Sequence, residues 1–131
     1  MTRAVVFAYH NVGVRCLATL LAHGVEVPLL VTHRDSPGEN VWFSSVADFA
    51  AERGLESAFP DDPNVPGFAA RIEALRPDFL FSFYYRRMLG SRLLAAPRRG
   101  ALNLHGSLLP KYRGRAPVNW AVIKGESETG A

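Results

Sequence analysis

Four short apolar runs of strand length are spaced along the chain, and segments with helical periodicity separate them. The runs are Ala4 to Tyr9 (AVVFAY), Val25 to Val31, Phe79 to Tyr84 (FLFSFY) and Ala101 to Leu104. Runs this apolar and this rich in β-branched and aromatic residues are typical of strands buried on both faces, as in a parallel sheet. Between them, Val14 to Ala22 carries Leu17, Leu20 and Leu21 at helical spacing and stops at His23-Gly24. Ser45 to Arg53 places Val46, Phe49 and Ala50 at i, i+3 and i+4, followed by Gly54 as a stop signal. Phe68 to Leu75, Leu89 to Ala96 and Val118 to Ile123 also read as helices, the last with Pro117 at its first turn. THRDSPGEN and PDDPNVPG are rich in turn residues and read as loops. This alternation predicts an α/β fold, a doubly wound, mostly parallel sheet with helices on both faces. Sites in such sheets lie beyond the carboxyl ends of the strands. That places Tyr9 to Gly13, Tyr84 to Met88 and His105 to Arg115 along one edge.

A chain of 131 residues fits one domain that buries about two-thirds of its unfolded surface. With 48% hydrophobic and 21% charged residues it has globular composition, which excludes wholesale disorder. No apolar run reaches the roughly 18 residues of a membrane span. The opening MTRAVVFAYHNVG lacks the long apolar core and cleavage site of a signal peptide. The single Cys16 cannot form an internal disulfide, which fits a reducing cytoplasm. The net charge of +3 hides an asymmetry. Residues 79–125 hold nine basic side chains and no acidic one, leaving six basic and twelve acidic elsewhere. That segment favours anionic partners, or it is a solvated face. Nucleic acid is one such partner, but no nucleic-acid-binding signature is present.

Asn103-Leu104-His105-Gly106 is where chemistry is most legible. Asn103 and His105 stand two apart at a strand's end, so they point to the same side. An amide beside an imidazole serves acyl transfer, the amide stabilising an oxyanion and the imidazole moving a proton. Gly106 lets the backbone come close to a ligand. The same pair also reads as a structural cap at a strand end. No G-x-G-x-x-G, Walker loop or G-x-S-x-G elbow is present. The four histidines are scattered and Cys16 is alone, so no metal cluster is expected. Tyr84-Tyr85-Arg86-Arg87 reads either as core plus solvated charge or as one wall of a ligand cleft.

Continued through Ser107-Leu108-Leu109-Pro110-Lys111-Tyr112-Arg113-Gly114-Arg115-Ala116-Pro117, this segment closely resembles the folate-dependent formyltransferases. N-x-H followed by SLLP and R-G-x-x-P is a long ordered signature, and the resemblance covers essentially the whole chain. VVFAYHNVG, FSFYYRRML and NLHGSLLPKYRGRAPVNWAVIKGESETG look most like the amino-sugar branch. That branch formylates UDP-4-amino-4-deoxy-L-arabinose in lipid A modification and polymyxin resistance. The resemblance implies a Rossmann-like fold and 10-formyltetrahydrofolate as formyl donor. It implies Asn103 as the oxyanion-stabilising amide and His105 as the catalytic proton donor. It implies Arg87, Met88 and Leu89 as the segment whose backbone meets the pterin, and Arg115 at the folate site. Tyr9, His10, Ser107, Leu108, Leu109 and Pro110 are expected to contact the acceptor.

One departure is expected to matter. The family completes its site with an aspartate in a later D-A-G segment, and no residue up to Ala131 matches it. Glu126 and Glu128 belong to the family's G-E-x-x-T-G stretch and do not take that role. The expectation is a truncated formyltransferase N-terminal domain over residues 1–131, its sheet left with an open edge. His105 without its carboxylate is expected to be mis-oriented, and the chain weak or inactive as it stands. Methionyl-tRNA and other amino-sugar acceptors are the alternatives within the family. Glycinamide ribonucleotide is disfavoured because Tyr9 to Gly13 is not a Gly/Ser-rich phosphate loop. A non-catalytic folate- or nucleotide-binding remnant is the alternative from another class.

Overall fold

The computed structural model describes residues 1–35 and 45–131, so the loop predicted over 32–40 lies partly outside the described residues. The strands are β1 (Arg3–Ala8), β2 (Glu26–Val31), β3 (Ser57–Ala58), β4 (Phe79–Phe83) and β5 (Gly100–Leu104). They form one parallel sheet in the order β3-β2-β1-β4-β5. The chain builds outward from β1 on one side, then crosses back and builds β4 and β5 on the other. The doubly wound reading is correct, and the switch point lies between β1 and β4. Among the described residues β5 is the outermost strand on its side.

Helices α1 (His10–Ala22), α2 (Val46–Glu52), α3 (Pro66–Ala74), α4 (Ser91–Ala95) and α5 (Pro117–Ile123) complete the fold. Side-chain alternation along β1 feeds two cores. Ala4, Val6 and Ala8 pack with Leu17 of α1 and Val46 and Ala50 of α2. Val5 and Phe7 pack with Ala69 and Ile72 of α3 and Leu93 of α4 on the opposite face. In β2 the register slips between Arg3↔Glu26 and Val5↔Leu29. The extra residue falls at Val27-Pro28, where proline has no N–H to pair. The bulge resets the alternation, so Val27 joins the first core and Leu29 the second.

Three elements differ from expectation. Helix α1 starts at His10 rather than Val14. Its first turn has no side-chain cap and no acidic residue, and His10 has φ +68°, so no local signal marks the start. Packing holds it instead: a Cβ on Gly13 would lie 3.1 Å from Ala8 Cβ, 3.1 Å from Val46 Cγ2 and 3.3 Å from Ala8 C. The backbone atom of β1 cannot give way. Overpacking of about 1–3 kcal/mol therefore outweighs the roughly 1 kcal/mol of helix propensity that alanine adds. Gly13→Ala is expected to lower the urea midpoint of unfolding, and a raised midpoint would show that α1 can slide. The other two differences are α3, which takes Pro66 and Gly67 from the predicted loop with Pro66 in its first turn, and β3, which has no sequence pattern. β3 pairs with Leu30 and Val31, and backbone bonds from Leu30 N to Glu56 O and from Thr32 N to Ala58 O brace it.

The basic segment does not form a single face. Arg92 pairs with Glu73 at 2.7 Å, Arg98 with Asp78, and Lys111 with Glu126 at 3.4 Å. Arg98 and Arg99 bond through their backbones to Pro77 and Asp78, at the amino ends of the strands. A chain that crosses the sheet between strands deals its charges to both ends.

Candidate active site

A cleft of about 430 Å³ opens at the carboxyl ends of β1, β4 and β5, at the topological switch where ligands of such sheets bind. Tyr9 and His10 enter it after β1, Tyr84, Tyr85 and Arg86 after β4, and Asn103, His105 and Gly106 from β5 and its exit. Gly114 and Ala116 ahead of α5, with Pro117 and Val118 in its first turn, close it. Asn103 is exposed, and its side chain makes no hydrogen bond to a described residue. Its amide is open to the cleft.

His105 is half-buried, and its Nε2 lies 2.8 Å from the main-chain carbonyl of Tyr112. A carbonyl only accepts, so Nε2 carries the proton and donates. The neutral ring then has its lone pair on Nδ1. The imidazole expected to be mis-oriented without a carboxylate is oriented here by a backbone group. The carbonyl rides on a turn braced inside by Ser107 Oγ, which donates to Lys111 O at 2.7 Å. Outside, Tyr112 Oη donates to Glu126 Oε1 at 2.7 Å. That bond, and Lys111 beside it, hold the Glu126 carboxyl below its ordinary range, and the same bond raises the Tyr112 phenol.

Gly106 admits a close neighbour. A Cβ there would stand 2.8 Å from Tyr84 Oη, so the phenol reaches the residue next to His105. Tyr84 has φ +60°, and its ring centre is 6.0 Å from that of His10. The left-handed turn directs its ring across the cleft mouth. The far wall is aromatic and cationic. Arg86 lies over the Tyr9 ring at 4.6 Å, and Tyr85 stacks on His33 at 4.1 Å and 18°. The Arg86 backbone N–H donates to His33 Nε2 at 2.9 Å, and Tyr9 Oη donates to Asp35. Burial pushes the Tyr85 phenol up to about 12. Burial first, then the Arg86 charge, lower the His10 pKa.

The parallel α/β sheet agrees with the comparisons. Residues 16–131 match the family described as formyl transferase. The chain belongs to that family.

Among solved structures, the chain is similar to phosphoribosylglycinamide formyltransferase from Bacillus halodurans at 21% identity and TM-score 0.76, covering 98% of this chain and 68% of that one. Glycinamide ribonucleotide transformylase 1 from Geobacillus kaustophilus gives 26% and 0.75, covering 98% and 71%. A sugar 3N-formyl transferase, solved in the presence of dTDP and 5-N-formyl-THF, gives 17% and 0.65, covering 98% and 44%. This formyl transferase chain thus spans about two-thirds of the first two chains and under half of the third.

Of the residues singled out from sequence, the cleft gathers Asn103, His105, Tyr9 and His10. Arg87, Met88, Leu89 and Arg115 do not line it. Met88 is 86% exposed, and its carbonyl accepts from Asn64 Nδ2 at 2.9 Å while Gly90 N donates to Asn64 Oδ1. Asn64 therefore shapes the turn that carries this segment. Ser107 is buried and braces its own turn. Leu108, Leu109 and Pro110 border a second hollow of about 260 Å³ with Tyr112 and Glu128. Sequence reasoning missed Tyr112, whose contribution is a main-chain carbonyl that no side-chain motif encodes, and Glu126. No helix among the described residues is long and apolar enough to cross a membrane.

Proposed function

We propose that the cleft transfers a formyl group from 10-formyltetrahydrofolate to the amine of a UDP-amino-sugar, UDP-4-amino-4-deoxy-L-arabinose, in the cytoplasmic route to lipid A modification. The observation that carries the reading is the pair Asn103 and His105 opening into one cleft, with His105 held by Tyr112 O. The surroundings fit the donor: the partly exposed Tyr84 offers a ring beside an amide and an imidazole, groups suited to a flat heterocycle bearing an amide. When bound, the folate supplies an activated formyl group. Asn103 offers amide N–H donors to the formyl oxygen, where negative charge develops. His105 Nδ1 takes the proton that the acceptor nitrogen must lose, and the imidazolium returns one to the leaving nitrogen. Arg86 supplies a cation for the acceptor's diphosphate, and the positive end of α1 adds to it. Outside the cleft's lining, the backbone of 87–89 and the Arg115 guanidinium are assigned to the folate; Tyr9 and His10 in the cleft, with the 107–110 segment that borders the second hollow, are assigned to the acceptor.

Glycinamide ribonucleotide is the second reading, supported by the likeness to transformylases of that substrate. Offering the purified chain 10-formyltetrahydrofolate with each acceptor separates them. Formyl-UDP-4-amino-4-deoxy-L-arabinose is the expected product. Preferential formylation of glycinamide ribonucleotide selects the second reading. Folate binding without transfer to any amine marks a binding remnant and overturns both.

A further inference from the structure

We propose that Glu126 is a positioning residue for His105, acting through Tyr112 and the 107–115 turn. The proposal rests on the reading of His105 as the group that moves the proton, though the geometry behind it does not.

His105 is oriented by a main-chain carbonyl, so its aim is only as good as the turn that carries that carbonyl. The turn is not self-supporting at this point. Tyr112 has φ +56°, a left-handed conformation that a bulky side chain adopts only when its surroundings hold it there. Glu126 touches the two residues that matter. Its Oε1 accepts from Tyr112 Oη at 2.7 Å, and its Oε2 lies 3.4 Å from Lys111 Nζ. Lys111 O is in turn the acceptor of Ser107 Oγ. One carboxylate thus fastens the outer side of the turn that Ser107 fastens from within.

Glu126 is itself well anchored. Gly125, at φ +68°, ends α5, and the Glu126 N–H donates to Ala121 O at 3.0 Å. Its side chain is 27% exposed against 63% for Lys111. A pair this open to water adds little to stability, so its effect is geometric. It keeps Tyr112 O where His105 Nε2–H meets it, and thereby keeps the neutral ring in the tautomer with a free lone pair on Nδ1.

Long-range proton–nitrogen NMR on the nitrogen-labelled chain reads the His105 tautomer directly, with His105→Gln assigning its signals among the four histidines. The native chain is expected to hold neutral His105 in the Nε2–H form. Glu126→Ala and Tyr112→Phe are each expected to mix both tautomers, whereas Glu126→Gln, whose amide oxygen still accepts from Tyr112 Oη, retains one. Turnover in formyl transfer should fall about tenfold in Glu126→Ala, as for one lost hydrogen bond, with KM unchanged and with rescue in Glu126→Gln. Tyr112→Phe preserves the ring and carries the test if Glu126→Ala fails to fold. A native ring already in mixed tautomers, an unchanged tautomer in either variant, or a glutamine variant no better than alanine overturns the proposal. A native chain that never transfers formyl removes the proposed function while the tautomer comparison stands.

Discussion

His105→Ala is expected to lower the turnover of formyl transfer by about 10²–10⁴-fold, the range spanned by the loss of a positioned general acid–base. The imidazole has its tautomer fixed in the cleft, with Nε2–H directed toward Tyr112 O at 2.8 Å. Alanine removes the proton carrier but not its cradle. Ser107 and Glu126 still brace the turn, and Asn103, Tyr9 and Arg86 remain in the cleft. Substrate affinity should therefore change little while turnover collapses. Single-turnover transfer with saturating acceptor, beside equilibrium titration of the same variant, separates the two. A variant with native turnover would remove His105 from the chemistry, and one that lost affinity in parallel would make it a binding residue.

The second large effect is on stability. Phe7→Ala should cost about 3–5 kcal/mol, a large share of the roughly 5–15 kcal/mol that holds a domain of this size. Phe7 is fully buried in the central strand, with Val31 of β2 on one side and Ser82 of β4 on the other. It packs in the core of the α3–α4 face and meets Tyr85 edge-on at 5.2 Å. Since Tyr85 stacks on His33, which accepts from the Arg86 backbone, the cavity would also loosen one wall of the cleft. Urea unfolding should show an early midpoint with an unchanged slope. A loss under about 1 kcal/mol would show that α3 and α4 collapse into the space.

Much of this was readable before any coordinates. The strands that became β1, β2, β4 and β5 are apolar runs with sharp turn signals, and α2 carries its own start in Ser45, whose Oγ accepts from Asp48 N at 3.1 Å. Such elements declare themselves locally. The start of α1 does not, because it is held by the contact of Gly13 with Ala8 and Val46, a tertiary fact. β3 is too short to have a period. In the site, Asn103 and His105 follow from the two-residue repeat of a strand, and Tyr9 and His10 from the rule that loops after strands meet at one edge. The orientation of His105 was not readable, since its partner is a backbone carbonyl supplied by a left-handed Tyr112. Nor was the distribution of the basic segment. Contiguity in sequence says nothing about which end of a sheet a charge occupies once the chain has crossed it.

The order β3-β2-β1-β4-β5 also sets when a binding site can exist. The earliest strand is the middle one, and its second neighbour lies some seventy residues later in the chain. The β1–β2–β3 half can pair as soon as it is synthesised, but at that stage it contains only the Tyr9–His10 corner of the cleft. The other walls arrive with β4 and with β5, which pairs with β4 over a short separation; joining them to the first half needs the β1–β4 pairing, Ala4 with Phe79, whose long sequence separation makes it the slow kind to close. No partly folded form of the chain can hold a ligand as the native one does. Any molecule spanning Tyr9, Tyr84 and Asn103 ties the first strand to the last, so its binding free energy adds directly to the cohesion of the sheet.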